Sequence, residues 1–359
     1  MNHILDLLRP DLRDFAGYAS ARRANLSGSV WLNANESPLP NPADAGQTLH
    51  RYPDPQPAAL RARMAEVYQV SPEQLMITRG SDEGIDLLVR AFCRAGLDAV
   101  LVAPPCFGMY AACARVQNAP LVEVPLDESA GVWRLDFSQV FAATERHKVR
   151  VVFLCSPANP TGQALSLAQI RALADALQGR ALLVIDEAYV EFSSVPSASS
   201  LLQAYPGLVV LRTLSKAHAL AGARVGAVLA DAALIAVLRN LSAPYPVPAP
   251  SAALALSALS ESALQASSQR CRASCVERRA LLGALPHVAD VKRVYPSEGN
   301  FLLARFHEPQ AAFDRLLRAG VVVRDVRAMP QLSDALRISI GTAEENRQLL
   351  AALRQEVAA

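Results

Sequence analysis

LVVLRTLSKAHALAGARVG, residues 208–226, begins with apolar residues and becomes polar part-way along its length. Its apolar start predicts a buried strand, and the polar residues that follow include Ser215, Lys216 and Arg224. A lysine just beyond a buried strand end is partly desolvated, which lowers the pKa of its amine and makes it a nucleophile toward carbonyl groups. Ser215 and Arg224 are donors suited to a phosphate monoester. When such a stretch is considered alone, its lysine is more often a surface residue in a strand-to-loop turn.

Two apolar runs upstream end in the same way. ALLVIDEAYVEF, residues 181–192, turns polar at Asp186 and Tyr189, and VRVVFLCSPANPTGQ, residues 149–163, continues into a turn that carries Asn159. Runs this apolar predict strands that are buried on both faces. Because ligands of open α/β sheets bind at the carboxyl ends of the strands, we expect these polar side chains to meet at one edge.

Lysine, aspartate, tyrosine and asparagine at neighbouring strand ends match the needs of pyridoxal phosphate. This coenzyme needs a lysine for a Schiff base, a carboxylate facing the ring nitrogen, donors to its phenolic oxygen and a phosphate cup. With NPTG, DEAY and SK…R in this order, the chain resembles the fold-type I aminotransferases. The segments LNANESPLP, RYPDPQ and LRISIGT are similar to those of the histidinol-phosphate aminotransferase family, and the resemblance covers residues from about 18 to 341.

The resemblance implies a role for each matching residue. Lys216 is expected to carry pyridoxal phosphate and to move the substrate proton, Asp186 to stabilise the protonated pyridine, and Tyr189 and Asn159 to hold the phenolic oxygen. The other residues implied to bind the coenzyme are Ser215, Arg224, Ser81, Asp82, Glu83, Phe107 and, from the second subunit of a homodimer with shared active sites, Tyr52. The residues implied to bind substrate are Tyr18, Asn35, Arg324 and Arg337.

Several of these residues have alternative interpretations. Residues 75–93, LMITRGSDEGIDLLVRAFC, predict a strand, a glycine turn and a helix whose free N–H groups favour a phosphate, although an ordinary acidic helix N-terminus is commoner. Phe107 stands where the family usually has tyrosine, which keeps ring stacking and removes one polar contact. Tyr18 is followed by ASAR where the family has a Pro-Gly turn, and packing of this segment onto the large domain is an equal alternative for Tyr18.

Two arginines lie in segments that predict strands near the C-terminus. Arg324 follows three valines, and Arg337 lies inside the alternating LRISI. A partly buried arginine needs an anionic partner, so a structural salt bridge and substrate binding are equal alternatives. The resemblance implies that both bind the substrate phosphate and that Arg337 also binds the carboxylate of glutamate.

The order of the predicted elements indicates an α/β protein. Strands and helices alternate up to the prolines at 244, 246 and 248, which predicts a mostly parallel sheet with helices on both faces. A long Ala- and Ser-rich helix over about 251–285 and a mixture of strands and helices follow. We therefore predict the fold of the type I pyridoxal-phosphate-dependent transferases, with an N-terminal strap (1–44), a large coenzyme-binding domain (45–245) and a small α+β domain (246–359).

Composition excludes several classes of function. The chain has 359 residues, 52% of them hydrophobic, and a net charge of +2 without a basic run, so two domains and no nucleic-acid partner are expected. Six cysteines and six histidines show no metal-ligand spacing, so no metal is expected. No signal peptide or membrane-spanning stretch is recognisable, which favours a cytoplasmic protein.

The resemblance implies one reaction and leaves alternatives. The expected reaction, in histidine biosynthesis, converts L-histidinol phosphate and 2-oxoglutarate to imidazole acetol phosphate and L-glutamate. An aromatic amino-acid aminotransferase is an alternative because an arginine that binds phosphate also suits a carboxylate. A threonine-phosphate decarboxylase of the same fold would use the same lysine but release CO₂. The coenzyme-sensing domain of a regulator is a non-enzymatic alternative, which the lack of a basic patch disfavours.

Overall fold

Two sheets organise the chain, and a computed structural model describes residues 4–18, 20–21, 28–46, 48–129 and 131–354. The larger sheet has seven strands and the smaller has four, and a separate hairpin completes the set. The strands are β1 (Leu75–Thr78), β2 (Ala99–Val102), β3 (Leu121–Glu123), β4 (Asp127–Ser129), β5 (Val132–Arg134), β6 (Val149–Cys155), β7 (Leu182–Asp186), β8 (Leu208–Thr213), β9 (Gly226–Leu229), β10 (Val291–Val294), β11 (Phe301–Phe306), β12 (Arg324–Asp325) and β13 (Ala335–Ser339).

Ten α-helices lie in the described ranges. They are α1 (Ala58–Tyr68), α2 (Gly80–Phe92), α3 (Met109–Val116), α4 (Phe137–His147), α5 (Leu167–Leu177), α6 (Ala232–Leu241), α7 (Ala249–Ala258), α8 (Glu261–Ala284), α9 (Pro309–Arg318) and α10 (Ala343–Arg354). Helices α2, α3 and α6 cover one face of the large sheet, and α1, α4, α5 and α7 cover the other. Strand β6 shows why both faces are apolar, since Val151 and Phe153 join the first core and Val152 and Leu154 the second.

The large sheet is mostly parallel, as the alternating pattern predicts. Its strand order is β1-β9-β8-β7-β6-β2-β3, and β6, β7 and β8 run parallel to one another as direct neighbours. Strand β9 is antiparallel to both of its neighbours. The three apolar runs of the sequence therefore end side by side at one edge, and the predicted α/β fold class is confirmed.

The small sheet differs from the prediction at the three valines. Strand β12 consists of Arg324 and Asp325 only, and Val322 is 82% exposed. The chain leaves α9 through this segment, and the N–H of Val321 bonds the carbonyl of Leu316 at the end of that helix. The valines therefore form the exit from a helix, and the prediction of a three-valine strand is wrong.

The predicted long helix over 251–285 is two helices. Helix α7 ends at Ala258 and α8 begins at Glu261, with Ser260 as its N-cap. Between them Leu259 is fully buried and its carbonyl accepts a hydrogen bond from Arg63 Nε at 2.7 Å. The break lets this leucine join the core of the large sheet.

The chain beyond residue 245 returns to the large sheet before it builds the small one. Residues of α7 pack in the same core as α1, and the small sheet begins only at β10. The division into 45–245 and 246–359 therefore stays a prediction. At the other end, Ile4, Leu7 and Leu8 are buried, whereas much of 28–46 is exposed. None of the helices in the described ranges is long and apolar enough to cross a membrane.

Candidate active site

A cavity of about 150 Å³ opens at the carboxyl edge of β6, β7 and β8. Its lining includes each predicted coenzyme residue except Glu83 and Tyr52. The lining residues are Ser81, Asp82, Phe107, Cys155, Asn159, Asp186, Ala188, Tyr189, Thr213, Ser215, Lys216, Ala221 and Arg224. Sequence analysis missed Cys155, Ala188, Thr213 and Ala221, which are the small neighbours of the predicted residues.

A larger opening of about 1120 Å³ lies beside α8. Its buried arginine, Arg212, is paired with Glu191 at 2.7 Å and with Glu187 at 3.3 Å, so that charge is already balanced. Among the described residues that line it there is no lysine. We locate the candidate site in the smaller cavity because the chemically competent side chains converge there.

Lys216 lies in the loop that follows β8 and lines the small cavity. Its Nζ lies 5.9 Å from the centre of the Tyr189 ring. Partial burial lowers the pKa of the Lys216 amine, and the positive charges of Arg337 and Arg224 lower it further, whereas Asp82 acts in the opposite direction. A larger fraction of the amine is therefore neutral near pH 7 than for a solvated lysine, as a nucleophile or a base requires.

Asp186 ends β7 and is only 2% exposed. Its Oδ2 accepts a hydrogen bond from the hydroxyl of Tyr110 at 2.8 Å, and its Oδ1 accepts one from the N–H of Ala188 at 3.1 Å. Burial raises the pKa of this carboxyl to about 6, although both hydrogen bonds lower it. No cation is paired with Asp186 among the described residues, so the carboxylate suits a positively charged group inside the cavity.

Arg224 and Ser215 form an anion-binding end of the cavity. Arg224 Nη1 lies 3.4 Å from Ser215 Oγ, and Arg224 Nη2 donates to Asp82 Oδ2 at 3.0 Å. Helix α2 begins beside them at Gly80 and has no side-chain cap, so N–H groups of its first turn remain free. Gly80 has a φ of +73°, and a Cβ there would lie 2.7 Å from Arg224 Nη2, which explains the glycine.

The loop that carries these groups is closed by a strand pair. Thr213 at the end of β8 is paired with Gly226 at the start of β9, so residues 214–225 leave and re-enter the sheet at one point. Ser215, Lys216 and Arg224 all belong to this loop. The antiparallel β9 thus returns the guanidinium to the edge from which the lysine projects.

Tyr189 and Asn159 connect the cavity to the small sheet. The Tyr189 ring packs edge-to-face on Phe301 of β11 at 5.0 Å, and burial raises the pKa of its hydroxyl, which therefore stays a donor. Asn159 Oδ1 accepts a hydrogen bond from Arg337 Nη1 at 2.6 Å. This bond orients the amide so that its NH₂ group is available to another acceptor.

The two predicted substrate arginines lie opposite each other. Arg324 on β12 is the register partner of Arg337 on β13. Arg324 is exposed and Arg337 is half-buried, and burial lowers the pKa of Arg337, with a further lowering by Arg324. The buried Nε of Arg337 has no hydrogen-bond partner within the described part of the chain. Such a pair of like charges calls for an anion between or above them.

The sequence profile described as "Aminotransferase class I and II" matches residues 19–353. The chain belongs to this aminotransferase family. It is 58% identical over 353 residues to the histidinol-phosphate aminotransferase of Xanthomonas campestris pv. campestris (strain 8004), with 98% of each chain covered. It is 56% identical over 351 residues to that of Xylella fastidiosa (strain 9a5c), which covers 98% of this chain and 96% of the relative.

A solved structure supports the same relationship. The histidinol-phosphate aminotransferase from Sinorhizobium meliloti, in complex with pyridoxal-5'-phosphate, is similar with a TM-score of 0.77 and 26% identity. The comparison covers 89% of this chain and 88% of that one. The family resemblance inferred from the motifs is therefore confirmed.

Glu83 lies outside the cavity of this aminotransferase. Its Oε2 accepts the backbone N–H of Arg79 at 2.7 Å and its Oε1 accepts Arg79 Nη2 at 2.9 Å. The carboxylate thus binds the backbone N–H and the guanidinium of Arg79, the residue that precedes α2. The Glu83 side chain is therefore occupied outside the cavity, whereas its backbone N–H lies in the first turn of α2, so the predicted contact of Glu83 with a coenzyme stays a prediction.

Three further predicted residues also lie away from Lys216 within one aminotransferase chain. Tyr18 is 69% exposed and lines a separate cavity of about 310 Å³. Tyr52 is half exposed and stacks on Tyr245, with ring centres 4.4 Å apart. Asn35 is exposed on the irregular segment 28–46. A single chain does not bring these residues into the site, so their roles stay predictions.

Proposed function

We propose that this aminotransferase acts on L-histidinol phosphate. It transfers the amino group to 2-oxoglutarate, which yields imidazole acetol phosphate and L-glutamate, a step of histidine biosynthesis. The observation that carries the proposal is the convergence of Lys216, Asp186 and the Arg224 end on one cavity that borders Arg337. The relatives at 56–58% identity are named for this activity.

The polar and aromatic side chains that line the cavity fit pyridoxal phosphate. The buried carboxylate of Asp186, which has no cationic partner in the described ranges, suits the protonated ring nitrogen. Ser215, Arg224 and the uncapped start of α2 suit the phosphate at the other end. Tyr189 and Asn159 suit the phenolic oxygen between them, and Phe107 in the lining suits the face of the ring. Bound there, the coenzyme supplies an electron sink for the bond broken at the substrate α-carbon.

Lys216 is proposed to move the proton. Its Nζ has a lowered pKa, so the neutral amine is available to accept a proton from the α-carbon of the bound amine and to deliver it again later in the cycle. Tyr189 lies beside this amine and forms part of the wall. Closing that wall limits the access of water to the reacting atoms.

Arg324 and Arg337 are proposed to bind the anionic ends of both substrates. Two guanidinium groups suit the phosphate of histidinol phosphate, and Arg337 suits the carboxylate of glutamate or 2-oxoglutarate. Asn159 holds Arg337 by the 2.6 Å hydrogen bond, so the substrate-binding group is tied to a wall of the coenzyme cavity. One pair of arginines thereby serves two chemically different substrates.

A homodimer with shared sites completes the proposal. Tyr52 is half exposed in one chain and its ring is held by its stack on Tyr245, so it is accessible to a neighbouring copy. Glu36 holds the backbone N–H of Tyr52 at 2.7 Å, so the segment that contains Asn35 is attached to the same tyrosine. We propose that this unit reaches the coenzyme phosphate of the second subunit. The cytoplasmic location stays a prediction from the sequence.

A half-reaction tests the substrate. Purified, coenzyme-loaded protein is mixed with L-histidinol phosphate without keto acid, and the absorbance change that accompanies transfer of the amino group is followed. Phenylalanine and threonine phosphate are run in parallel, with CO₂ release measured for the last. Fast transfer from histidinol phosphate is expected. Fast transfer from phenylalanine alone, or CO₂ release from threonine phosphate, would overturn the substrate and keep the role of Lys216.

A further inference from the structure

Tyr110 on α3 lies behind Asp186 and is not among the residues that line the cavity. It is fully buried, and its hydroxyl donates to Asp186 Oδ2 at 2.8 Å. Its ring stacks on Phe153 of β6, with centres 4.9 Å apart and an interplanar angle of 4°. It also makes an edge contact with Phe107 at 5.7 Å. The ring is therefore held by Phe153 and Phe107, and this packing fixes the hydroxyl beside the Asp186 carboxylate.

Several titratable groups face Asp186 from the elements around it. They are Tyr110 on α3, Cys155 at the end of β6, Tyr189 after β7, Asp82 on α2 and Lys216 after β8. Among the described side chains, only that of Tyr110 donates a hydrogen bond to the Asp186 carboxylate. The second donor is the backbone N–H of Ala188.

We propose that Tyr110 is a positioning residue of this aminotransferase, whose hydroxyl keeps Asp186 ionised and oriented toward the ring nitrogen of the coenzyme. The inference rests on the proposed function, since it presupposes the coenzyme in this cavity. Tyr110 does not line the cavity, so in this role it acts on the coenzyme through Asp186.

Two physical effects support this role. Burial at 2% exposure favours the neutral carboxyl, whereas a hydrogen bond donated to the carboxylate favours the charged form. The two donors occupy one lone pair on each oxygen and fix the plane of the carboxylate. Each oxygen can accept a second hydrogen bond, so a ring N–H can still be bound.

The test is Tyr110→Phe, which keeps the ring between Phe153 and Phe107 and removes the hydroxyl. The dissociation constant of pyridoxal phosphate is titrated at several values between pH 6 and pH 9 for the wild type, Tyr110→Phe, Asp186→Asn and the double variant. Tyr110→Phe is expected to weaken coenzyme binding roughly tenfold at neutral pH, as for loss of one hydrogen bond to a charged group. The loss is expected to grow as the pH falls, because the carboxyl takes up its proton sooner without the phenol.

The double variant separates positioning from packing. If the hydroxyl acts through Asp186, then Tyr110→Phe adds nothing to the loss caused by Asp186→Asn. Phe153→Leu is the matched control, since it disturbs the stacking of Tyr110 and keeps its hydroxyl, and it is expected to leave the pH profile of coenzyme binding unchanged. Thermal unfolding of the coenzyme-free variants reports any general loss of folding.

Three results would overturn the inference. They are an unchanged dissociation constant in Tyr110→Phe at all pH values, additive losses in the double variant, and the same pH-dependent loss in Phe153→Leu. Failure of the wild type to bind pyridoxal phosphate would instead overturn the proposed function, so the two failures are distinguishable.

Discussion

Replacing Asp186 by asparagine is expected to stabilise the coenzyme-free protein in a pH-dependent way. Burial raises the pKa of Asp186 from 3.8 to about 6. Well below pH 3.8 the carboxyl is protonated in both the folded and the unfolded chain and has no effect on stability. As the pH rises, the unfolded chain releases its proton first, so the folded state is progressively destabilised until the pH passes about 6. Each pH unit in this interval corresponds to about 1.4 kcal/mol, so the total destabilisation is about 3 kcal/mol.

Asparagine removes the charge and keeps the shape. Its Oδ1 can still accept the N–H of Ala188, and the Tyr110 hydroxyl can still pair with the amide. The free energy of unfolding is measured by denaturant titration of coenzyme-free wild type and Asp186→Asn at equal protein concentration, from pH 4 to pH 8. The difference between the two proteins is expected to be about 0.5 kcal/mol at pH 4 and to approach about 3 kcal/mol in favour of the variant above pH 7. A difference that does not change with pH, or a less stable variant at pH 8, refutes the reasoning.

Asp98 provides a control of opposite sign. It is also buried, and although burial acts to raise the pKa of its carboxyl, hydrogen bonds from Arg94 lower it below the usual value. A carboxyl with a lowered pKa stabilises the fold above its unfolded pKa, and this stability is lost as the pH falls. Asp98→Asn is therefore expected to destabilise the protein at pH 8 and to do so less at pH 4.

Three further substitutions test the site. Lys216→Ala is expected to abolish turnover and the absorbance of the lysine-bound coenzyme, and an active variant would contradict the assignment of the lysine. Arg337→Gln removes charge-assisted hydrogen bonds worth about 1.5–3 kcal/mol, so kcat/KM for glutamate should fall about 10- to 100-fold. Coenzyme affinity should change little. An unaltered kcat/KM would speak against substrate binding by Arg337. Gly80→Ala places a Cβ 2.7 Å from Arg224 Nη2 and should weaken coenzyme binding, measured by titration. Gly96→Ala, at a φ of +72° with nothing within 4 Å, has similar backbone strain and should leave coenzyme affinity unchanged.

Much of the site could be predicted because the strands that build it are local features of the sequence. Continuous apolar runs identify β6, β7 and β8, and parallel neighbours end at the same edge. The polar residues directly after each run must then converge, whatever the details of the helices. Asp186 and Lys216 could be assigned to one cavity for this reason, and the structure places both in it.

The features that were missed depend on contacts that form only in the folded chain. Tyr110 lies 76 residues before Asp186, and nothing in its own segment signals a partner for its hydroxyl. The pairing of the Glu83 side chain with Arg79 was not predicted from the sequence. Val322 and its neighbours have the composition of a strand, yet the N–H of Val321 donates to the carbonyl of Leu316 at the end of α9. The break between α7 and α8 coincides with the burial of Leu259 in the core of the large sheet, which exists only in the folded chain.

The closed loop 214–225 places the reactive amine and the anion-binding guanidinium on one short covalent unit, which begins and ends at the Thr213–Gly226 pair. This pair fixes where both ends of the loop lie, so Lys216 and Arg224 reach the cavity from one attachment point on the sheet. The arginines proposed to recognise substrate belong to another sheet. Divergence can therefore change which amine is accepted while this loop is retained. Related enzymes are expected to differ in substrate specificity before they differ in the loop that carries the lysine and the arginine.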